Sequence, residues 1–151
     1  MDATPDITLD LQRAARTGDP EVVYGSGKSP RQVVDCLHGL HTAHPDRAVF
    51  ATRLTDDALG LLAAEVPAAD LDDLSRTAIL GPTPTPVGLV GVVSAGTADS
   101  PVAREAERSL LVHGAGVRRF ADVGVAGLHR ILAVRDALAE CDVLIVVAGM
   151  E

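Results

Sequence analysis

Three short stretches of the chain concentrate the residue types that can do chemistry, and each follows a strand-like run. Ser94-Ala95-Gly96-Thr97-Ala98-Asp99 comes after "VGLVGVV", Asp122-Val123-Gly124-Val125-Ala126-Gly127 after "VRRF", and Ala148-Gly149-Met150-Glu151 after "DVLIVV". In the first, Gly96 permits close backbone approach, Ser94 and Thr97 offer hydroxyls, and Ser100-Pro101 reads as a capping serine before proline at the first helical position. A helix start of that kind turns free N–H groups and a partial positive charge toward its neighbour, which suits a phosphate. Asp99 is placed for acid/base work or for holding a hydroxyl. The same residues equally describe an ordinary capped loop between strand and helix.

His129 and Arg130 stand early in the segment after the second stretch. Together they could move a proton or hold a phosphate or carboxylate, or simply form a polar helix face. "GSGK" at Gly25–Lys28 lacks the long loop of a triphosphate-binding GxxxxGK[ST] sequence, so a tight turn with a solvated lysine describes it as well. Ser94 has no GxSxG elbow around it, and His38, His41, His44 and His113 have no Cys or carboxylate partner at ligand spacing. A serine nucleophile and a protein-held metal centre therefore find no support in the spacing.

If these stretches are strand tips, a parallel α/β sheet must carry them, since ligands bind beyond the carboxyl ends of such strands. The pattern from Gly88 onward agrees. Gly88–Val93 reads as a buried strand, Pro101–His113 as a helix, Val117–Phe120 as a strand, Ala126–Leu138 as a helix and Asp142–Val147 as a strand; such apolar strands belong to a sheet covered on both faces, yet with no helix after it the last one would keep a sticky surface and an open edge, as in a piece of a longer protein. Before it, a polar helix spans Ile7–Thr17, "PEVVYGSG" holds a short strand, and Ser29-Pro30-Arg31-Gln32 opens a helix to about Leu40 through a capping box. "RAVFAT", a Thr-capped helix from Thr55 to about Glu65, and "TAIL" complete this part. "GPTPTPVG" then interrupts both kinds of periodicity, because alternating prolines cannot continue a helix or a central strand. The expected organisation is an amino-terminal α/β domain over 1–80, a linker over 81–88, and a parallel-sheet domain over 88–151.

Composition narrows the partners. The chain has 151 residues, 47% of them hydrophobic, which provides a core. With 2% aromatic residues and a net charge of -8, it has neither stacking platforms nor a basic face, which argues against nucleic acid as a partner. Cys36 and Cys141 lie far apart in apolar surroundings and read as free thiols in a reduced, cytoplasmic protein. The longest apolar run, Val143–Gly149, is much shorter than a membrane span.

"PEVVYGSGKSPRQVV", "VFATR", "VGVVSAGTADSPVAREAE", "DVGVAGLHRIL" and "DVLIVVAGME" occur in that order, and the set resembles the LarB family of nickel-pincer cofactor biosynthesis. The carboxy-terminal half of that family is in turn similar to the aminoimidazole ribonucleotide carboxylases. The resemblance runs from about Leu9 to Glu151 and implies a flavodoxin-like second domain. It also implies carboxylation of nicotinic acid adenine dinucleotide at pyridinium C5, with phosphoanhydride hydrolysis to pyridinium-3,5-biscarboxylic acid mononucleotide and AMP. In the family a cysteine thiolate adds to the ring, making it a carbon nucleophile toward CO2, and departs after deprotonation restores aromaticity.

Carried onto this sequence, the resemblance implies that Ser94, Gly96, Thr97 and Asp99 hold phosphate and ribose, and that His129 and Arg130 lie near the ring or its carboxylate. It places Gly149 at the third tip and makes Glu151 an acid/base or water-orienting group. CO2 or bicarbonate is the implied co-substrate, no covalently bound cofactor is implied, and the hydrolytic step leaves room for a divalent metal such as magnesium. Homo-oligomerisation is implied as well. The family's nucleophilic cysteine falls beyond position 151, so the resemblance describes a piece of a longer protein, inactive alone. An aminoimidazole ribonucleotide carboxylase and a non-catalytic nucleotide-binding or assembly module stay open as alternatives.

Overall fold

The computed structural model describes residues 7–149, and the chain divides into two compact units, Met1–Thr83 and Pro84–Glu151.

In the first unit the order is α1 (Arg13–Thr17), β1 (Val23–Tyr24), α2 (Pro30–Ala43), β2 (Val49–Thr52), α3 (Asp56–Glu65), β3 (Asp70–Asp72) and β4 (Thr77–Leu80). The sheet order is β1-β2-β4-β3, with β1 parallel to β2 and the other pairs antiparallel. The capping box forms as its residue types require: the Gln32 N–H donates to Ser29 Oγ at 3.2 Å, and the Ser29 N–H to Gln32 Oε1 at 2.9 Å. Thr55 caps α3 by accepting from the Ala58 N–H. The apolar stripe of α2, with Val33, Cys36, Leu37 and Leu40, meets Leu59 and Leu62 of α3 over Val49, Ala51, Ala78 and Leu80 of the sheet. Arg31 donates to both carboxylate oxygens of Glu65, joining the two helices at the surface and holding that carboxyl below its ordinary range.

Several boundaries differ from the sequence reading, each for a local reason. The first helix is confined to Arg13–Thr17, because Ile7 and Leu9 lie against the core and the Asp10 N–H is taken by Glu21. Helix α2 continues to Ala43 and stops before Pro45, whose ring disfavours helical geometry at His44. Strand β3, "DLD", has little strand propensity and exists through antiparallel pairing with β4.

The second unit contains β5 (Val87–Ser94), a 3-10 turn at Thr97–Asp99, α4 (Ser100–Val112), β6 (Ala115–Phe120), a second 3-10 turn at Val125–Gly127, α5 (Leu128–Ala133), α6 (Arg135–Ala139) and β7 (Val143–Val147). All three strands are parallel in the order β6-β5-β7, the flavodoxin-like arrangement of a first strand between its two successors. Because the order reverses about β5, right-handed crossovers carry α4 to one face and α5 with α6 to the other. Buried Glu107 of α4 pairs with Arg104 at 3.0 Å and with Arg119 of β6 at 3.3 Å, fixing α4 along that strand. Asp142 secures the start of β7: its carboxylate accepts from the Leu89 N–H, and its own N–H donates to the Leu89 carbonyl, both at 2.8 Å.

One expectation is corrected here and another is met. The continuous helix over Ala126–Leu138 is broken into three pieces, with Val134 leaving helical geometry while its side chain packs with Val93, Phe120 and Val123. Strand β7 carries the uncovered apolar surface and open edge anticipated from its sequence. Among the described residues it is an edge strand, and Val143, Leu144 and Val146 are 56%, 45% and 67% exposed.

Leu37 is fully buried, so Leu37→Ala should cost about 2–5 kcal/mol in denaturant unfolding of the first unit's signal. Burial also pushes the Cys36 thiol above its ordinary value of 9.0. The unfolded thiol ionises first as pH rises, so this contribution is complete below 9.0 and is lost as pH climbs through the higher folded value. Unfolding free energies measured across that alkaline range should fall less steeply in Cys36→Ala than in the wild type.

Candidate functional site

The carboxyl ends of β5, β6 and β7 meet because β5 is paired with β6 to Val93 and with β7 to Ser94. Beyond the ladders the loops continue the contact. The Val123 N–H donates to the Ser94 carbonyl at 3.1 Å, the Gly124 N–H to the Ala95 carbonyl at 2.9 Å, and the Ala95 N–H to the Val147 carbonyl at 3.2 Å. Gly124 is required by space: a Cβ there would stand 2.8 Å from the Ala95 carbonyl oxygen, a backbone atom. The reversal of strand order lies between β5 and β7, which is where open α/β sheets bind ligands.

Asp99 occupies this crevice. Its Oδ2 accepts from the Gly96 N–H at 2.9 Å, which closes the 3-10 turn, and its Oδ1 lies 3.7 Å from where a Cβ on Gly149 would be. The carboxylate therefore faces both the first and the third tip. Among the described residues no acceptor meets the N–H of Thr97 or Ala98. Asp99, rather than Ser100, carries the side-chain bond at this helix entrance, and Ser100 is already helical at φ −55° and ψ −40°. The expected capping serine is thus replaced by a 3-10 turn that sets the carboxylate in the crevice.

The remaining candidates divide. Ser94 is fully buried, its Oγ has no partner, and by strand alternation it faces away from Val93; its carbonyl, not its hydroxyl, contributes by anchoring the second tip. Gly96 and Gly149 flank Asp99. Arg130 is half-buried on α5 and pairs with Asp122 at 2.5 Å. His129 is exposed beside it, and no printed contact brings it to Asp99. Glu151 lies outside the described residues.

An apolar cavity of about 260 Å³ opens next to the tips, between α5–α6 and the β5–β7 pair, with Val93, Ala95, Gly124, Ile131 and Val146 on its walls. Its polarity suits a flat ring better than a phosphate. Neither cysteine faces this region as a nucleophile: Cys36 is buried in the core of the first unit, and Cys141 is half-buried against α6. Among the described residues no three His, Cys, Asp or Glu side chains converge to hold a metal, and no helix is long and apolar enough to cross a membrane.

Sequence reasoning missed Asp122 and the spatial need for Gly124. Asp122 was visible at the start of the second tip, but only its position opposite Arg130 gives it a role.

Comparison with known proteins places this geometry in context. The LarB/PurE-like N-terminal domain family matches residues 3–82. The chain is also similar to an uncharacterized protein of Methanocaldococcus jannaschii, 34% identical over 157 residues that take in 96% of this chain. The chain spans 60% of that relative's length.

Gly124→Ala should destabilise the second unit by about 1–3 kcal/mol, because backbone, not a yielding side chain, occupies the space of the new Cβ. Chemical denaturation followed by circular dichroism measures it, and an unchanged midpoint would show that the second tip relaxes freely.

Proposed function

The chain belongs to the LarB/PurE-like N-terminal domain family, and from that membership we propose that it supplies the nucleotide-holding crevice of an enzyme that carboxylates nicotinic acid adenine dinucleotide. The proposed reaction replaces the proton on C5 of the pyridinium ring with a carboxylate derived from CO2 or bicarbonate. Water then cleaves the phosphoanhydride, giving pyridinium-3,5-biscarboxylic acid mononucleotide and AMP. The observation that carries the reading is the placement of Asp99, tied to the Gly96 N–H and facing Gly149 at the strand-order reversal.

Each group in the crevice has a task in this scheme. The Asp99 carboxylate accepts hydrogen bonds from ribose hydroxyls, and the N–H groups of Thr97 and Ala98 donate to a phosphate. The apolar cavity beside them takes the heteroaromatic ring, whose carboxylate is met by Arg130. His129, exposed on the same helix, is available for proton transfer, and Glu151 is assigned water orientation by the family resemblance alone. The thiolate that activates the ring is not assigned to Cys36 or Cys141, since neither lies at a tip. A cytoplasmic homo-oligomer is part of the same proposal.

The aminoimidazole ribonucleotide carboxylase reading is weaker on the family resemblance alone, which has the simple carboxylases begin near the strand at Gly88 and so lack an amino-terminal unit. Titration calorimetry separates the two. Nicotinic acid adenine dinucleotide should bind, aminoimidazole ribonucleotide should give little heat, and Asp99→Asn should weaken dinucleotide binding by about tenfold or more, the worth of a charge-assisted hydrogen bond. Preference for the imidazole nucleotide would overturn the dinucleotide reading.

A further inference from the structure

The tip after β6 holds an arrangement that nucleotide binding by Asp99 does not explain. Asp122 has φ +57°, in the left-handed region that costs most non-glycine residues free energy and that aspartate tolerates better than others. From there its Oδ2 reaches Nη1 of Arg130 at 2.5 Å. The same guanidinium rests on Gly127: a Cβ there would stand 2.5 Å from Nε and 3.2 Å from both Cζ and Nη2. Gly127 has φ −119° and ψ 71°, so its backbone does not demand glycine. The space of a Cβ there is filled by the Arg130 side chain, which would have to shift to admit one.

The Arg130 fork is thus held on one edge by a carboxylate and on one face by bare backbone. Stability is a poor reason for this construction. The pair is partly exposed, at 35% and 52% of the two side chains, and ion pairs in water contribute little. Orientation is the better reason, since a guanidinium recognises a planar oxyanion only when its fork is correctly aimed.

We infer that Asp122 and Gly127 are positioning residues that preset Arg130 as a receptor for an oxyanion group of the nucleotide. The inference rests on the nucleotide reading above and adds two residues to it. Neither residue touches the ligand; both act through Arg130. The oxyanion is the ring carboxylate assigned to Arg130 above, and the choice of ligands distinguishes it from the phosphate.

The test is titration calorimetry of the full chain with nicotinic acid mononucleotide, which carries both groups, and nicotinamide mononucleotide, which carries the phosphate alone. Asp122→Asn, Gly127→Ala and Arg130→Gln should each weaken nicotinic acid mononucleotide binding by about tenfold. In the Arg130→Gln background the other two substitutions should have no further effect, which a merely structural role would not produce. Loss confined to nicotinic acid mononucleotide identifies the carboxylate, and equal loss for both ligands identifies the phosphate. Wild-type binding with undiminished affinity in Asp122→Asn, or equal losses with and without Arg130, overturns the inference while leaving the nucleotide reading intact. Failure of the wild type to bind any nucleotide, dinucleotide included, overturns the nucleotide reading and this inference with it. Asp122→Asn, an isostere that keeps the left-handed tolerance, guards against a Gly127→Ala variant that fails to fold.

Discussion

Strand β5 is paired along both edges, with β6 to Val93 and with β7 to its final residue, Ser94, and the candidate site depends on that double pairing. A strand with one free edge could let its tip drift. Here the Ser94 and Ala95 carbonyls are claimed by the second tip and the Ala95 N–H by the end of β7. The loop that follows has little choice of direction, and its 3-10 turn delivers Asp99 into the crevice. Gly124 is the steric expression of the same constraint, as the backbones approach too closely for any side chain.

Different forces carry the two units. In the first, a mixed sheet is covered by two helices whose entrances are set by local chemistry: the Ser29–Gln32 box and the Thr55 cap. Its apolar contacts are built from valine, leucine and alanine, with the Cys36 thiol buried among them. In the second, a smaller apolar cluster of Val93, Phe120 and Val123 lies under α5 and α6. Polar tethers do more of the ordering there, through Glu107 with Arg104 and Arg119, and through Asp142 with Leu89. The candidate chemistry sits at the carboxyl ends of the strands, opposite the Asp142–Leu89 tether.

The elements that could be read from sequence were those with strong local signals. "SPRQ" and the threonine before "DDALGLL" announced helix starts, and "TAIL" and "DVLIVV" announced strands through their β-branched content. Where local signals were weak or conflicted, the reading failed. The stretch from Ala126 to Leu138 has helical composition throughout, yet Val134 leaves helical geometry and the helix breaks there, while Ile131, Val134 and Leu138 still pack on one apolar cluster. "DLD" has the composition of a turn and becomes a strand because β4 offers it an edge. Ser100 has the type of a cap, but it is already helical, and the 3-10 turn closed by Asp99 on the Gly96 N–H precedes it.

By itself, the sequence determined the α/β alternation, the interruption at the prolines, and the residue types gathered at the strand ends, because periodicity and capping act within a few residues of chain. It also carried the ordered motifs that point to the family. Only the tertiary structure decided which of those residues work together. The strand order β6-β5-β7 brings Gly96 and Gly149, 53 residues apart, to one aspartate, turns the Ser94 hydroxyl inward, and sets Asp122 against Arg130. Such pairings arise from register and crossover direction across a sheet, which are long-range properties that no local run of residues encodes.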